Sequence, residues 1–244
     1  MKTIGLIGGM SWESTALYYR QINEAVKAQL GGLHSAKLVL LSVDFAEIAA
    51  LQRAGDWLAA GAILAEAARK LQAAGADFLV LATNTMHIVA PAIEAAVGIP
   101  LLHVADPTAG AIRQAGFGKV GLIGTRFTME QSFYKDRLVD MHGLQVLVPD
   151  AADRDTVHRI VFEELCLGKI TEASRAEYRR VMASLVQQGA ECVILGCTEI
   201  TLLVGAGDAT VPLFDTTGLH ALAAATLAMQ ADQPFSQGQH PVKG

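Results

Sequence analysis

This chain carries one strand-and-loop pattern twice. "GADFLVLATNT", beginning at Gly75, aligns without a gap with "GAECVILGCTE", beginning at Gly189, and sets Thr83 opposite Cys197 at a spacing of 114 residues. "IGLIGGMSWESTALYY" from Ile4 is similar to "VGLIGTRFTMEQSFY" from Val120. Gly5, Leu6, Ile7 and Gly8 match residues 121–124, and Tyr18 matches Tyr134, all 116 residues apart. Two matches at nearly one offset predict a duplicated unit of roughly 110 residues.

Around the repeats, short β-branched runs alternate with longer runs of helical period. Strands are expected at 2–9, 37–44, 77–84, 100–106, 119–125, 144–150, 192–198 and 211–216. Helices are expected near 12–30, 56–74, 87–97, 107–116, 127–142, 151–167, 172–188 and 217–230. Near-continuously apolar strands between helices call for parallel sheets covered on both faces. The fold class is therefore α/β, with two pseudo-symmetric three-layer lobes, mostly parallel sheets and a site in the cleft between them. Residues 1–99 with 211–232 are assigned to the first lobe and 100–210 to the second. The polar closing residues 233–244 are expected to be flexible.

Several function classes drop out early. Apolar residues make up 52% of the chain, but much of this is alanine along amphipathic runs. No stretch approaches the ~18–20 uninterrupted apolar residues of a membrane span. "MKTIGLIGG" lacks a signal-peptide layout, because its apolar run is short and leads into glycines. The net charge is −5 with dispersed basic residues, which gives no footprint for nucleic acid or an anionic membrane. Three cysteines, an odd number without a C-x-x-C pair, fit a reduced, cytoplasmic compartment. No histidine spacing argues for a metal, and no G-x-S-x-G elbow is present.

In open parallel sheets, ligands bind beyond the carboxyl ends of the strands. Two facing lobes would place the loops 8–15, 83–87, 124–128 and 197–199 around one cleft. Thr83 and Cys197 would then approach a shared ligand from opposite sides. A thiol at a strand end, close to a helix start, can have its pKa lowered from ~8.5 and serve as base or nucleophile. Cys166 and Cys192 are read as structural. His87, after "TNTM", is a candidate ligand contact or proton relay. The loop "GLIGGMSWEST" is neither G-x-G-x-x-G nor a phosphate loop; its N–H groups and hydroxyls suit a small carboxylate, and Thr125 and Thr128 supply the matching surface in the second half.

"ATNTMH", "ILGCTEI" and "IGLIGGMSWEST" together resemble the signatures of cofactor-independent aspartate and glutamate racemases, over about residues 2–230. "GGLHSA", "TRFTMEQSFY" and "FEELCLGKITEASR" are most similar to the members specific for L-aspartate and L-glutamate. The resemblance implies two α/β lobes with the amino acid between them, commonly a homodimer, and neither metal nor pyridoxal phosphate. In most members two cysteines flank Cα, one removing a proton and the other delivering one, the second serving the L face. Family positions map onto Met10, Ser11, Asn84, Thr85, Thr125, Thr128, Thr198 and Glu199 for substrate binding. The first cysteine position is Thr83, whose alkoxide is essentially absent at neutral pH. The resemblance thus implies that Cys197 deprotonates the L-isomer, with reprotonation through Thr83 or solvent. Many aspartate racemases hold the distal carboxylate with an arginine and a lysine; here the lysine position is Cys166, no arginine precedes Arg53 within "VDFAEIAALQRAG", and Gln52 is the expected substitute ahead of Arg53 and Lys169. Two other classes stay open: a decarboxylase similar to the arylmalonate enzymes, and a non-catalytic amino-acid-binding module.

Overall fold

A computed structural model describes residues 1–230. The expected flexible tail at 233–244, and residues 231–232 of the expected first lobe, lie outside the described residues.

Two four-stranded parallel sheets organise the chain. The first contains β1 (Ile4–Gly8), β2 (Leu38–Ser42), β3 (Phe78–Leu81) and β4 (Leu101–Leu102) in the order β2-β1-β3-β4. The second contains β5 (Lys119–Gly124), β6 (Gln145–Leu147), β7 (Cys192–Gly196) and β8 (Leu213–Asp215) in the order β6-β5-β7-β8. Each order becomes the other when four is added or subtracted, so the repeat in the sequence is a repeat of topology. The central strands β1, β3 and β7 are buried along their whole length, as their unbroken apolar character requires. Tyr18 and Tyr134, the matched tyrosines, are both fully buried.

Helices cover both faces of each sheet. In the first lobe, α1 (Trp12–Leu30) and α11 (Thr216–Met229) pack on one face, and α2 (Phe45–Ala54), α3 (Trp57–Ala73) and α4 (Ala90–Glu94) on the other. In the second, α5 (Ala105–Gln114) and α7 (Ser132–Asp140) share one face. Its opposite face carries α6 (Arg126–Glu130), α8 (Ala151–Glu163), α9 (Glu172–Gln187) and α10 (Ile200–Leu203). Among the described residues no helix is long and apolar enough to cross a membrane.

The lobes exchange differently from the expected boundaries. Residues 101–102, assigned to the second lobe, pair with Leu79 and Val80 of the first sheet. Residues 213–215, assigned to the first lobe, pair with Val193, Ile194 and Leu195 of the second. The following helices cross over: α5 packs on the second sheet and α11 on the first. A short crossover keeps each fourth strand beside the third of its own sheet, and only the helix after it is free to swap. The expected helix at 127–142 is broken at Gln131, and that at 87–97 begins with a 3-10 turn over Thr85–Val89. Helix α2 was not anticipated, although Asp44 caps its start and Gly55, left-handed at φ 70°, ends it.

Candidate active site

Thr83 lies two residues beyond β3, and Cys197 one residue beyond β7. Each is 8% exposed, and both line one narrow cavity of about 40 Å³. Met10, Gln52, Asn84, Thr85 and Thr125 line it with them, as do Thr198 and Glu199. Of the expected binding residues, Ser11 and Thr128 stand one layer back. Ser11 caps α1 by accepting from the Ser14 N–H, and Thr128 lies fully buried behind Thr125. The first loop reaches the cavity because Gly9, at φ 95°, brings backbone against Val43, where any Cβ would collide with the Val43 carbonyl.

The thiol of Cys197 donates to Glu199 Oε2 at 2.9 Å. Glu199 Oε1 in turn accepts from the hydroxyls of Ser14 (3.2 Å) and Ser11 (3.4 Å). A lowered thiol pKa was expected from a helix start nearby; the structure overturns this. Burial raises the Cys197 pKa well above the ordinary range, and the Glu199 carboxylate adds to the rise through its charge and its hydrogen bond. Only the backbone N–H of Glu199 acts in the opposite direction. Helix α10 has four residues, too short to supply a substantial dipole. The resting pair is therefore a thiol on a carboxylate, holding one proton and one negative charge between them.

Hydroxyls and an amide stitch the two lobes together beside this pair. Thr85 Oγ1 meets Thr125 Oγ1 at 3.0 Å, and Thr125 Oγ1 meets Thr128 Oγ1 at 3.2 Å. Thr216 donates its hydroxyl to the Leu195 carbonyl at 2.9 Å, so it must accept from Asn84 Nδ2 at 3.0 Å. That chain of donors fixes the amide orientation and leaves Asn84 Oδ1 buried with no partner among the described residues. A buried orphan acceptor costs about 1–3 kcal/mol, and a cationic donor in the cavity would satisfy it.

His87 does not face the cavity as a ligand contact or relay. Its Nδ1–H donates to the Thr83 carbonyl at 2.8 Å, and Nε2 accepts from the Val104 N–H at 3.2 Å. With both nitrogens so engaged the ring is neutral, and burial, then His220, depress its pKa to about 3. It anchors the Thr83 turn to the segment where the chain crosses between lobes.

Part of the cavity wall carries little mark in the sequence. Phe45 arrives from α2, and Val161, Phe162 and Cys166 from the end of α8 and the turn after it. Cys166, read as structural, stands exposed at the cavity rim, and partial desolvation with the charges of Glu199 and Glu13 pushes its pKa up to about 12. Cys192 is buried within β7 as expected. The caps of α2 could have revealed Phe45; nothing local marks residues 161–166. Gln52 Nε2 donates to Met86 Sδ at 2.9 Å, which holds the amide at the cavity edge. Among the described residues no group of three or more His, Cys, Asp or Glu side chains is placed to hold a metal ion.

A duplicated α/β scaffold with a thiol and a hydroxyl at equivalent strand ends defines a two-lobed enzyme-like class with one site between the lobes. The family model described as Asp/Glu/Hydantoin racemase matches residues 7–224. The chain belongs to the Asp/Glu/hydantoin racemase family. It is 61% identical to a candidate Asp/Glu racemase of solved structure from Yersinia pestis, covering 94% of this chain and 100% of that one with a TM-score of 0.90. An aspartate racemase homologue from Pyrococcus horikoshii OT3 is 34% identical, with coverage of 94% and 100% and a TM-score of 0.82. A curated broad-specificity amino-acid racemase from Bacillus subtilis (strain 168) is 22% identical over 62% of this chain and 65% of its own length. The match thus spans less than two thirds of that curated relative.

Proposed function

We propose that this protein racemises α-amino acids of the aspartate and glutamate class, favouring the L-isomer, by direct proton transfer at Cα without metal or pyridoxal phosphate. The observation that carries the reading is the pairing of Cys197, hydrogen-bonded to Glu199, with Thr83 at the equivalent strand end on one narrow cavity. Glu199 takes the thiol proton, and the resulting thiolate removes the Cα proton from the L face. Thr83, whose hydroxyl makes no hydrogen bond among the described residues, passes a proton to the opposite face or positions the water that does so. The orphaned Asn84 Oδ1 accepts from the substrate ammonium. The hydroxyls of Thr85, Thr125 and Thr198, with Met10 and Ser11 shaping the first loop and Thr128 bracing Thr125, hold the α-carboxylate. Gln52 donates to the side-chain carboxylate. Burial of the lining side chains supports the chemistry, because fixed donors around a narrow cavity stabilise developing charge better than water does. The family resemblance further supports a homodimer, which sedimentation at micromolar concentration would test.

The apolar wall of Phe45, Val161 and Phe162 favours a second reading, decarboxylation of a disubstituted malonate, with the Cys197 thiol protonating the carbanion after loss of CO2. Proton NMR in D2O separates the two. Loss of the Cα signal from L-Asp or L-Glu with appearance of D-product supports the racemase; CO2 release from an arylmalonate without amino-acid exchange supports the lyase. Tight amino-acid binding with neither reaction would make the protein a binding module. Cys197→Ser is expected to remove essentially all exchange, and retained exchange would refute the base assignment.

A further inference from the structure

Glu199 is a partition between two spaces. Its Oε2 faces the inner cavity and receives the Cys197 thiol. Its other face, with Thr198, lines an outer groove of about 450 Å³ whose further walls include Trp12, Ser14, Arg20 and Leu202. Trp12 is 67% exposed and Leu202 53%, so the groove opens to solvent. Ser14, itself 4% exposed, stands at the junction: it is one of the groove-lining residues, and its hydroxyl reaches Glu199 Oε1 at 3.2 Å.

A site with one thiol has a proton to dispose of in every turnover. The thiolate–carboxylic-acid pair carries one proton before reaction and two after Cys197 has taken the Cα proton. The donor on the other face is then one proton short. Unless the excess proton leaves, the next thiolate cannot form.

We infer that Ser14 is the relay through which the Cys197–Glu199 pair releases this proton to water in the outer groove. The inference rests on the racemase reading. After Cα–H breaks and S–H forms, Glu199 remains a carboxylic acid. Its carboxyl turns to present the O–H to Ser14 Oγ, which accepts that proton as its own passes to a groove water. The O–H bond on Glu199 breaks, a hydronium ion forms, and the pair returns to one proton and one negative charge. Ser14 does not touch substrate; it acts through Glu199 and is a positioning residue. Ser11 Oγ, 3.4 Å from the same oxygen, is the slower second path, because it also caps α1.

The test is the ratio of deuterium gained in recovered L-amino acid to D-amino acid formed, measured at low conversion in D2O with L-Asp and L-Glu. Deuterium enters the L pool only when the pair exchanges with solvent before returning its proton. Ser14→Ala is expected to lower this ratio by about tenfold, short of the ~10² of a fully lost proton transfer because Ser11 remains. Ser14→Thr, which keeps a hydroxyl, is expected to restore it. A purely structural role would lower both rates together and leave the ratio unchanged, and that result overturns the inference while the racemase reading stands. If the wild-type protein exchanges no amino acid, the racemase reading falls, and this inference with it. Should Ser14→Ala fail to fold, Ser11→Ala decides instead: a fall in the ratio of about tenfold or more would make Ser11 the main path and overturn the relay through Ser14, and a smaller fall supports it.

Discussion

Glu199→Gln keeps the size of the side chain that receives the Cys197 thiol and removes its charge. Two effects of opposite sign follow. With the carboxylate ionised, a thiolate 2.9 Å away would meet a repulsion of about 6 kcal/mol at an effective dielectric of ~20. The amide abolishes that repulsion and makes the thiol easier to ionise. The amide also cannot take a proton at neutral pH, and losing a positioned proton acceptor costs ~10²–10⁴ in rate, about 3–5 kcal/mol. Loss of the acceptor wins, because the native pair never carries two negative charges: its single proton shifts from sulfur to oxygen as one coupled unit. At pH 7 the variant should exchange the Cα proton of L-Asp ~10²–10⁴-fold more slowly. It should recover only at pH well above the ordinary thiol range near ~8.5, because burial alone still holds the thiol proton until hydroxide supplies the missing base. The assay is proton NMR of Cα loss in D2O between about pD 6 and 10. A variant as fast as the wild type at neutral pH would show Glu199 to be only a repulsive neighbour, and the base assignment would fail.

Thr83→Cys is expected to raise exchange from the D-isomer by ~10² or more, the scale of a general base; unchanged D-side exchange in chiral assays would mean that residue 83 does not face Cα. Among the described cavity-lining residues Glu199 is the only charged one, so neutral donors must recognise the substrate side chain. L-Asp and L-Glu should then be preferred over L-Asn and L-Gln by no more than about tenfold, and a preference of ~10³ for the acids would place a cation in the site. Acid should destabilise the fold through His87, His103 and His220, whose rings cluster at 4.4 and 5.9 Å and whose pKa values burial lowers, to about 3 for His87 and about 4 for His220. Because each folded pKa lies below the unfolded ~6.5, the contribution is complete above that pH and is lost as pH falls toward the folded values. At pH 5 each neutral ring costs about 2 kcal/mol, together about 6 kcal/mol of a stability that is typically 5–15. Urea midpoints that stay level from pH 7.5 to 5 would contradict this.

The strand-end part of the candidate site was legible because strand ends are local. The apolar runs at 78–81 and 192–196, each stopping at small polar residues, mark where loops must emerge, and the near-constant offset makes Thr83 and Cys197 equivalent. Other features had no local signature. Cys166 joins the cavity because α8 ends over it, a contact between residues more than thirty apart in sequence. His87 looks like a reactive histidine in "TNTMH" and is a neutral backbone anchor in the fold. The lobe boundaries were displaced by one strand because a two- or three-residue edge strand carries too little pattern to say which sheet it joins.

The α/β class, the duplication and the residues that end the central strands are all readable along the chain, since hydrophobic period and turn chemistry are properties of neighbouring residues. Tertiary structure alone decided the state of the thiol. A strand-end cysteine near a helix start reads as activated, but the proton goes where burial and the nearest charge send it. Here burial and Glu199 keep it on sulfur, and Ser11 and Ser14, more than 180 residues away in the chain, hold that carboxylate in place.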